Sequence, residues 1–180
     1  TKWRYNQNAI VCNVEHEKSH NFIAHEHFLP SGPFAILPLI GSSLKPHLRS
    51  AIVWIDHPDL TSVFKELPDV EFLFELKRRF GDFLGELRVV SNRWHYPLKL
   101  QYAETSIANR LALIGDAAHG MHPIAGQGLN MGIRDAAALA EVITDGLRFG
   151  KDIGGKRVLS EYQRLRRFDN TLMLAATDNL

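Results

Sequence analysis

A strand, a glycine-rich loop and a helix follow one another between residues 111 and 147, and this pattern restricts the fold more than any other part of the 180-residue chain. The apolar run Leu111–Ile114 is typical of a strand covered on both faces. Asp116 follows at its carboxyl end, where such strands face ligand crevices and where a carboxylate can accept hydrogen bonds from sugar-like hydroxyls. The pattern therefore predicts a ligand site beside Gly115 and Asp116.

The loop after this strand contains Pro123, Gly126 and Gly128, and a helix follows it. Glycines let a ligand approach bare backbone. The first N–H groups of a helix have no intrahelical partner and carry the positive end of its dipole, which favours an anion or an electron-rich carbonyl. We expect the direct contacts to come from the N–H groups of Leu129 and Asn130. One face of the helix carries the apolar or small residues Leu129, Ile133, Ala136, Ala137, Ala140, Ile143 and Leu147.

Residues 115–136, GDAAHGMHPIAGQGLNMGIRDA, resemble the second FAD-binding motif of the class A flavoprotein monooxygenases, most closely that of the ubiquinone-biosynthesis hydroxylases. Residues 26–39, 96–98 and 164–178 extend the similarity over nearly the whole chain. The resemblance implies an enzyme that uses FAD, NAD(P)H and O2 to hydroxylate a phenol ring, which we expect to carry a polyprenyl tail. The positions that match the family motif are His119, Pro123, Gly126, Gln127, Gly128, Asn130 and Asp135.

The resemblance also implies roles for single residues. Asp116 would accept a hydrogen bond from a ribityl hydroxyl of FAD, and backbone N–H groups of residues 126–130 would face the flavin N1 and C2 carbonyl. Pro123, the one candidate catalytic residue, would lie at the flavin edge where oxygen is activated. The implied cofactor-binding residues are Gly115, Asp116, Pro123, Gly126, Gln127, Gly128, Leu129 and Asn130.

The family's GxGxxG turn, which binds the ADP half of FAD, does not occur in these 180 residues. We therefore expect a middle-to-C-terminal fragment of a longer enzyme, inactive by itself. The expected fold class is α+β. Residues 1–100 would form an antiparallel substrate-binding sheet with two short helices. Residues 101–180 would form the C-terminal portion of a Rossmann-like FAD-binding domain, similar to that of para-hydroxybenzoate hydroxylase and without its N-terminal dinucleotide-binding half.

Residue patterning predicts the elements of both domains. The predicted antiparallel strands are Tyr5–Glu15, Asn21–Leu29, Pro33–Leu39 and Ser50–Asp56, and residues 87–100 return to strand. The last helix starts at about Lys156. Residues 58–83 are helical in pattern, with the apolar set Phe64, Leu67, Phe72, Leu73, Leu76 and Phe80.

Composition excludes several classes of function. With 21 basic and 20 acidic residues, the net charge of +1 provides no overall field for binding nucleic acid. Cys12 is the single cysteine, so no internal disulfide can form, and a reducing compartment is indicated. No apolar stretch reaches the ~20 residues of a membrane span. We expect a cytoplasmic protein, with peripheral contact to the inner membrane or to a biosynthetic complex left open.

Several residues allow two interpretations. His119 and His122 have metal-ligand spacing, but no third ligand follows, so we expect no metal. For Asp135 and Arg134, a structural role in polar contacts on the helix surface or between domains is as well supported as a role in the functional site. For His25 and His27, which share a strand face, we favour a solvated face over a metal or substrate pocket. An apolar wall for a lipid substrate and plain core packing explain Leu37, Leu39, Val53, Tyr96 and Leu98 equally well.

The basic residues of the last helix could touch an anionic membrane surface, although we favour a solvated helix face. They are Lys156, Arg157, Arg164, Arg166 and Arg167. For the whole chain, two alternatives to a ubiquinone-biosynthesis hydroxylase remain open. One is a class A flavoprotein hydroxylase of another small aromatic substrate, and the other is a non-enzymatic domain that retains the fold.

Overall fold

The computed structural model of the chain describes residues 2–41, 46–123 and 126–178, with side chains of the last helix described to residue 173. The chain divides into two compact units, Tyr5–Leu98 on the one hand and Thr1–Arg4 with Lys99–Leu180 on the other. The strands are β1 Lys2–His16, β2 His25–Leu29, β3 Gly32–Leu39, β4 Arg49–Asp56, β5 Leu87–Val89, β6 Trp94–Tyr102, β7 Ile107–Ala108, β8 Leu111–Ala112 and β9 His119–Gly120. The α-helices are α1 Pro58–Glu66, α2 Asp69–Phe80, α3 Gln127–Arg148 and α4 Lys156–Asp178.

The unit Tyr5–Leu98 is built on an antiparallel sheet, as the α+β prediction requires. Its strands lie in the order β2-β3-β4-β1, and β5 pairs with β1. The β2–β3 hairpin closes where Leu29 pairs with Gly32. Gly32 has a φ of +147°, and a Cβ there would lie 2.8 Å from Cγ2 of Ile55. Only glycine therefore fits this turn.

Helices α1 and α2 provide the apolar side chains that complete the main core of this unit. Pro58 begins α1, where its missing N–H costs no hydrogen bond, and Gly81 ends α2 at a φ of +84°. Trp54 lies at the centre, fully buried, with the Arg79 guanidinium 4.2 Å from its ring centroid. The predicted helical set is confirmed, since Phe64, Phe72, Leu76 and Phe80 are buried and Leu67 and Leu73 pack against them. Each such buried side chain stabilises the fold by about 1.5–3 kcal/mol.

The solvated strand face proposed for His25 and His27 is wrong. His27 is half-buried, and its Nδ1 lies 3.0 Å from the carbonyl oxygen of Arg79 on α2. The ring of His25 packs on Phe83, with a centroid separation of 4.7 Å. Short strand β2 therefore turns both histidines toward the α2 segment, where their polar atoms and ring faces have partners.

In the other unit, β6 pairs with β9, β7 forms a hairpin with β8, and α3 packs with α4. The motif strand is shorter and less covered than predicted, since β8 ends at Ala112 and both Leu111 (47%) and Ile114 (41%) are exposed. The physical reason is that β8 pairs with β7 and contributes only Ala112 to the small core on α3 and α4. The expectation of a strand buried on both faces is wrong for this chain.

Helix α3 buries the face opposite to its most apolar one. Leu129, Ile133 and Leu147 are all exposed by more than half, while the buried positions are Met131, Asp135, Val142 and Gly146. The helix packs this second face on α4 and on the turn that starts at Gly115. The apolar face that the periodicity identified is therefore exposed in this chain, and the opposite face of α3 is the buried one.

Two further features bear on the environment of the protein. None of the helices in the described ranges is both long enough and apolar enough to cross a bilayer. Cys12 is buried in the main core, and burial raises the pKa of its thiol to about 12, so it is an inert core residue at neutral pH.

Candidate functional site

The chain makes a tight turn directly after Ile114. Gly115 has a φ of +56°, in the left-handed region that favours glycine, and residues 115–117 form a short 3-10 turn. The N–H of Ala118 closes it by donating to the carbonyl of Gly115 at 2.9 Å. Asp116, at the centre of the turn, is exposed. The turn therefore presents a carboxylate to solvent on a constrained backbone.

Helix α3 approaches this turn at backbone distance. A Cβ added to Gly132 would lie 3.4 Å from the Cα of Gly115, and one added to Gly115 would lie 3.7 Å from the Cα of Gly132. Two glycines facing each other let the helix and the turn pack with no side chain between them. One helical turn further on, Asp135 reaches the same segment.

Asp135 is the centre of a buried polar network that was not predicted as such. Its Oδ2 accepts from the backbone N–H of Gly115 at 2.9 Å and lies 2.5 Å from Nε2 of His119. Its Oδ1 accepts from Nε of Arg166 at 2.7 Å and from Nδ2 of Asn170 at 3.4 Å. Asp135 itself is 0% exposed. The helix-surface role considered for Asp135 is therefore wrong, because every oxygen points inward to a partner.

The electrostatics of this network favour the charged carboxylate. Burial by itself raises the pKa of Asp135, but the hydrogen bonds from His119, Arg166 and Gly115 outweigh burial and lower the pKa to about 2. Because the carboxylate is ionised at neutral pH, the close nitrogen of His119 carries the shared proton and acts as donor. The other ring nitrogen of His119, Nδ1, is buried and has no hydrogen-bond partner in the described part of the chain.

Arg166 links the network to α4 and is itself fixed on several sides. Besides Asp135, it donates to Asp169 at 2.6 Å and to Asn170 at 2.8 Å. Its assignment to a solvated basic face is wrong, since it is only 8% exposed, whereas Arg157, Arg164 and Arg167 are exposed. The sequence contains a signal for this burial. Arg166 follows Tyr162 by four residues, on the face of α4 that is apolar up to that residue, and a charged residue at such a position indicates a buried ion pair.

The strand side of the turn is also attached to α4. The hydroxyl of Tyr162 donates to the carbonyl oxygen of Leu113 at 2.8 Å. Burial, with a smaller contribution from the negative charge of Asp135, raises the pKa of Tyr162 to about 12, so the hydroxyl stays a neutral donor. The turn is thus held from both ends, through Leu113 on one side and through Gly115 and His119 on the other.

The start of α3 has two glycines with open space around them in the described part of the chain. Gly126 adopts a φ of +58°, its N–H donates to the carbonyl of Pro123 at 3.0 Å, and α3 begins at Gln127. Among the described residues, a Cβ at Gly126 or Gly128 would meet no atom within 4 Å beyond those of its own chain neighbours and helix backbone. The first helical turn contains no acidic residue, so the positive end of the dipole is not neutralised locally. Residues 124 and 125 of the predicted loop lie outside the described residues.

The helix start decides which backbone donors are available. With Gly126 before the first helical residue, the N–H groups without an intrahelical acceptor are those of Gln127, Gly128 and Leu129. The N–H of Asn130, which the sequence also suggested, lies one position further along the helix, and its side chain donates to Oε1 of Gln127 at 3.3 Å. Pro123 is exposed, and His122 is buried, which lowers the pKa of its imidazole.

These residues fit the group that the sequence suggested. An exposed carboxylate at Asp116 can accept from hydroxyl groups, and the N–H groups of residues 127–129, which have no intrahelical acceptor, can donate to an electron-rich carbonyl. The open space beside Gly126 and Gly128 leaves room for a planar ring to reach the backbone. The Asp135 network bonds the turn to α3 and α4.

The apolar wall proposed for a lipid substrate divides between core and surface. Leu98 is buried with Ala9 and Ile55, and Val53 packs against them. Leu37 and Tyr96 are exposed. Core packing therefore explains Leu98 and Val53, and the exposed pair stays available for contact.

Comparison with known proteins is consistent with this geometry. The family model described as FAD binding domain matches residues 16–174. Ubiquinone hydroxylase UbiL of Rhodospirillum rubrum is 54% identical over 176 residues, which are 98% of this chain and 40% of that protein. Mitochondrial ubiquinone biosynthesis monooxygenase COQ6 of Xenopus tropicalis is 33% identical over 213 residues, covering 99% of this chain and 45% of that protein.

Among solved structures, Pseudomonas aeruginosa PqsL in complex with 2-aminobenzoylacetate superposes with a TM-score of 0.73 at 20% identity, covering 99% of this chain and 48% of that one. At this identity the match concerns the fold alone, and it confirms the mixed fold with an antiparallel sheet. The chain spans less than half the length of these relatives. The similarity to UbiL and COQ6 confirms the resemblance drawn from residues 115–136.

Proposed function

Since the chain belongs to the FAD binding domain family, we propose that it provides the flavin-facing turn and the substrate sheet of an FAD-dependent hydroxylase. The proposed reaction is the hydroxylation of a phenol ring with a polyprenyl tail in ubiquinone biosynthesis, with NAD(P)H as reductant and O2 as oxygen donor. The names of the relatives UbiL and COQ6 support this substrate class. The proposal places the enzyme in the cytoplasm, with peripheral contact to the membrane that holds such a substrate.

One observation carries the proposal: the turn with the exposed carboxylate of Asp116 is bonded to α3, the same helix whose start has no side-chain cap. Gly115 donates its N–H to Asp135 and packs on Gly132, and both partners are residues of α3. The first turn of this helix carries the N–H groups that have no intrahelical acceptor. A merely structural motif has no need for open space both at Gly126, before the helix, and at Gly128 in its first turn. That space and the two kinds of polar group match the needs of an isoalloxazine ring with its ribityl chain.

When bound, FAD would supply the electron transfer and the activation of oxygen. The residues of this chain would bind and orient it. Asp116 would accept a hydrogen bond from a ribityl hydroxyl, and the N–H groups of Gln127, Gly128 and Leu129 would donate toward the electron-rich side of the ring. The dipole of the 22-residue helix α3 would favour negative charge at this place by about 1–2 kcal/mol in a partly buried site. Pro123 would limit the space at the ring edge.

The test replaces Asp116 in the full-length protein. Asp116→Ala removes the exposed acceptor without touching a buried contact, so we expect lower flavin occupancy and an unchanged circular dichroism spectrum. Asp145→Ala is the matched control, because Asp145 is also an exposed acidic residue of the same unit and lies near the far end of α3. Flavin content is measured by absorbance after purification. Equal flavin content in both variants would remove Asp116 from the site and with it the main support for the proposal.

A further inference from the structure

We infer that Arg166, a residue of α4, is a positioning residue for flavin binding that acts through Asp135 on the turn carrying Asp116. This inference rests on the proposed function and adds to it a residue that does not touch the flavin. The two carboxylate oxygens of Asp135 bond different parts of the chain. Oδ2 bonds the turn, through Gly115 and His119, and Oδ1 bonds α4, through Arg166 and Asn170.

A carboxylate is planar, so a rotation that improves one oxygen's contacts moves the other oxygen as well. The orientation in which Oδ2 meets both Gly115 and His119 is therefore the one set by Arg166 at Oδ1. Asp135 is fully buried and Arg166 nearly so, and water cannot replace a lost partner without opening the packing. The position of the turn thus depends on a contact 31 residues away from Asp135 along the chain.

The side chain of Arg166 has a shape that lysine cannot reproduce. Its guanidinium donates in three directions, from Nε to Asp135, from one terminal nitrogen to Asp169 and from the other to Asn170. These bonds fix the plane of the guanidinium and hence the direction of the Nε–H. A lysine ammonium keeps the charge but has a single nitrogen and no fixed plane. Arg166→Lys therefore removes orientation while keeping electrostatic compensation for Asp135.

The turn is built so that loss of this orientation reaches Asp116. Gly115 immediately precedes Asp116, and its left-handed φ of +56° is accessible to glycine together with many other values. The N–H bond to Asp135 and the close contact with Gly132 select this one conformation. When the carboxylate of Asp135 rotates, Gly115 gains freedom, and the direction of the Asp116 side chain becomes variable.

The experiment is a double-mutant cycle in the full-length protein, with the dissociation constant of FAD as the readout. The variants are Arg166→Lys, Asp116→Ala and the combination of both. We expect Arg166→Lys to weaken FAD binding about tenfold, because a charge-assisted contact that aligns the site is lost. We expect Asp116→Ala to cause a smaller further loss in the Arg166→Lys background than in the wild type, by a factor of about three or more. The visible circular dichroism of bound flavin should change in Arg166→Lys.

Tyr162→Phe is the control for a purely structural effect. It removes a partly buried hydrogen bond from α4 to the same segment, at Leu113, and leaves the hydrogen bonds of Asp135 in place. We expect it to lower stability to urea and to couple to Asp116 more weakly than Arg166→Lys does, because Leu113 precedes the turn and does not bond Asp135. Should Arg166→Lys fail to fold, Asn170→Ala carries the same cycle through the weaker bond to Oδ1.

The outcomes separate the two proposals. If Asp116→Ala leaves FAD binding unchanged, the proposed function fails and this inference falls with it. If Asp116→Ala weakens binding but its effect is the same with and without Arg166→Lys, the proposed function stands and the positioning role of Arg166 is refuted. Equal coupling in the Tyr162→Phe background would likewise refute it, since any loosening of α4 would then suffice.

Discussion

Gly128→Ala should make the protein more stable and weaken its binding of FAD at the same time. Gly128 lies in the first turn of α3, and an added Cβ would meet no atom within 4 Å. Alanine in a helix is favoured over glycine by about 0.5–1 kcal/mol, because it loses less backbone entropy on folding. For a chain of this size such a gain raises Tm by about 1–4 °C. The same methyl group would occupy the space through which, in the proposed function, the flavin ring reaches the backbone.

We expect the FAD dissociation constant of Gly128→Ala to rise about tenfold, the equivalent of one or two weakened hydrogen bonds. Stability is measured by urea and thermal denaturation, and affinity by flavin fluorescence titration of the full-length protein. Two further alanine variants distinguish the effect of filling the space beside the helix start from the effect of backbone strain. Gly126 and Gly150 have φ values of +58° and +61°, and each has open space around its Cβ position. Both variants should lose about 1 kcal/mol of stability to the left-handed conformation.

Only Gly126→Ala of these two should also weaken FAD binding, because Gly150 follows the other end of α3. Unchanged affinity in Gly128→Ala, with the expected gain in stability, would show that the ring does not approach the backbone there. A loss of stability in Gly128→Ala would instead show that the helix does not begin at Gln127. Either result would refute the reasoning from the open glycines.

Two further predictions concern stability. Gly32→Ala should lower the free energy of unfolding by about 3 kcal/mol, against about 1 kcal/mol for Gly81→Ala, because a Cβ at Gly32 meets Ile55 at 2.8 Å and one at Gly81 meets only Phe83 at 3.6 Å; equal urea midpoints would contradict the clash. Stability should also fall in acid. Folding lowers the pKa of Asp135 from 3.8 to about 2, so its contribution of about 2 kcal/mol is complete above 3.8 and is lost as the pH falls through 2. Burial lowers the pKa of His16 below 6.5, so a separate loss begins as the pH falls below that value. Urea unfolding of wild type and Asp135→Asn from pH 7 to pH 2 checks both. Because the pKa values of Glu15, Glu75, Asp152 and Glu161 are also lowered, some loss below pH 4 remains in the variant, and an equally large loss in both proteins would refute the assignment to Asp135.

Local patterns predicted much of the unit Tyr5–Leu98 correctly. Helices α1 and α2 and the buried set from Phe64 to Phe80 follow from apolar spacing, which depends only on residues within a few positions of one another. The turn glycines follow from the conformations that other residues avoid. The half-buried state of His27 did not follow, since its partner is the backbone of Arg79 on a helix 52 residues away.

The sequence by itself determined the chemistry available near residues 115–130: a carboxylate on a glycine turn, two loop glycines and the start of a helix. These are local properties, set by residue type and backbone preference. Only the tertiary structure decided which face of α3 is buried, that Asp135 is an interior anchor and that Arg166 is its partner. Neither periodicity nor propensity contains that information, because the free energy of a buried charge depends on which distant groups the fold brings within hydrogen-bond distance of it.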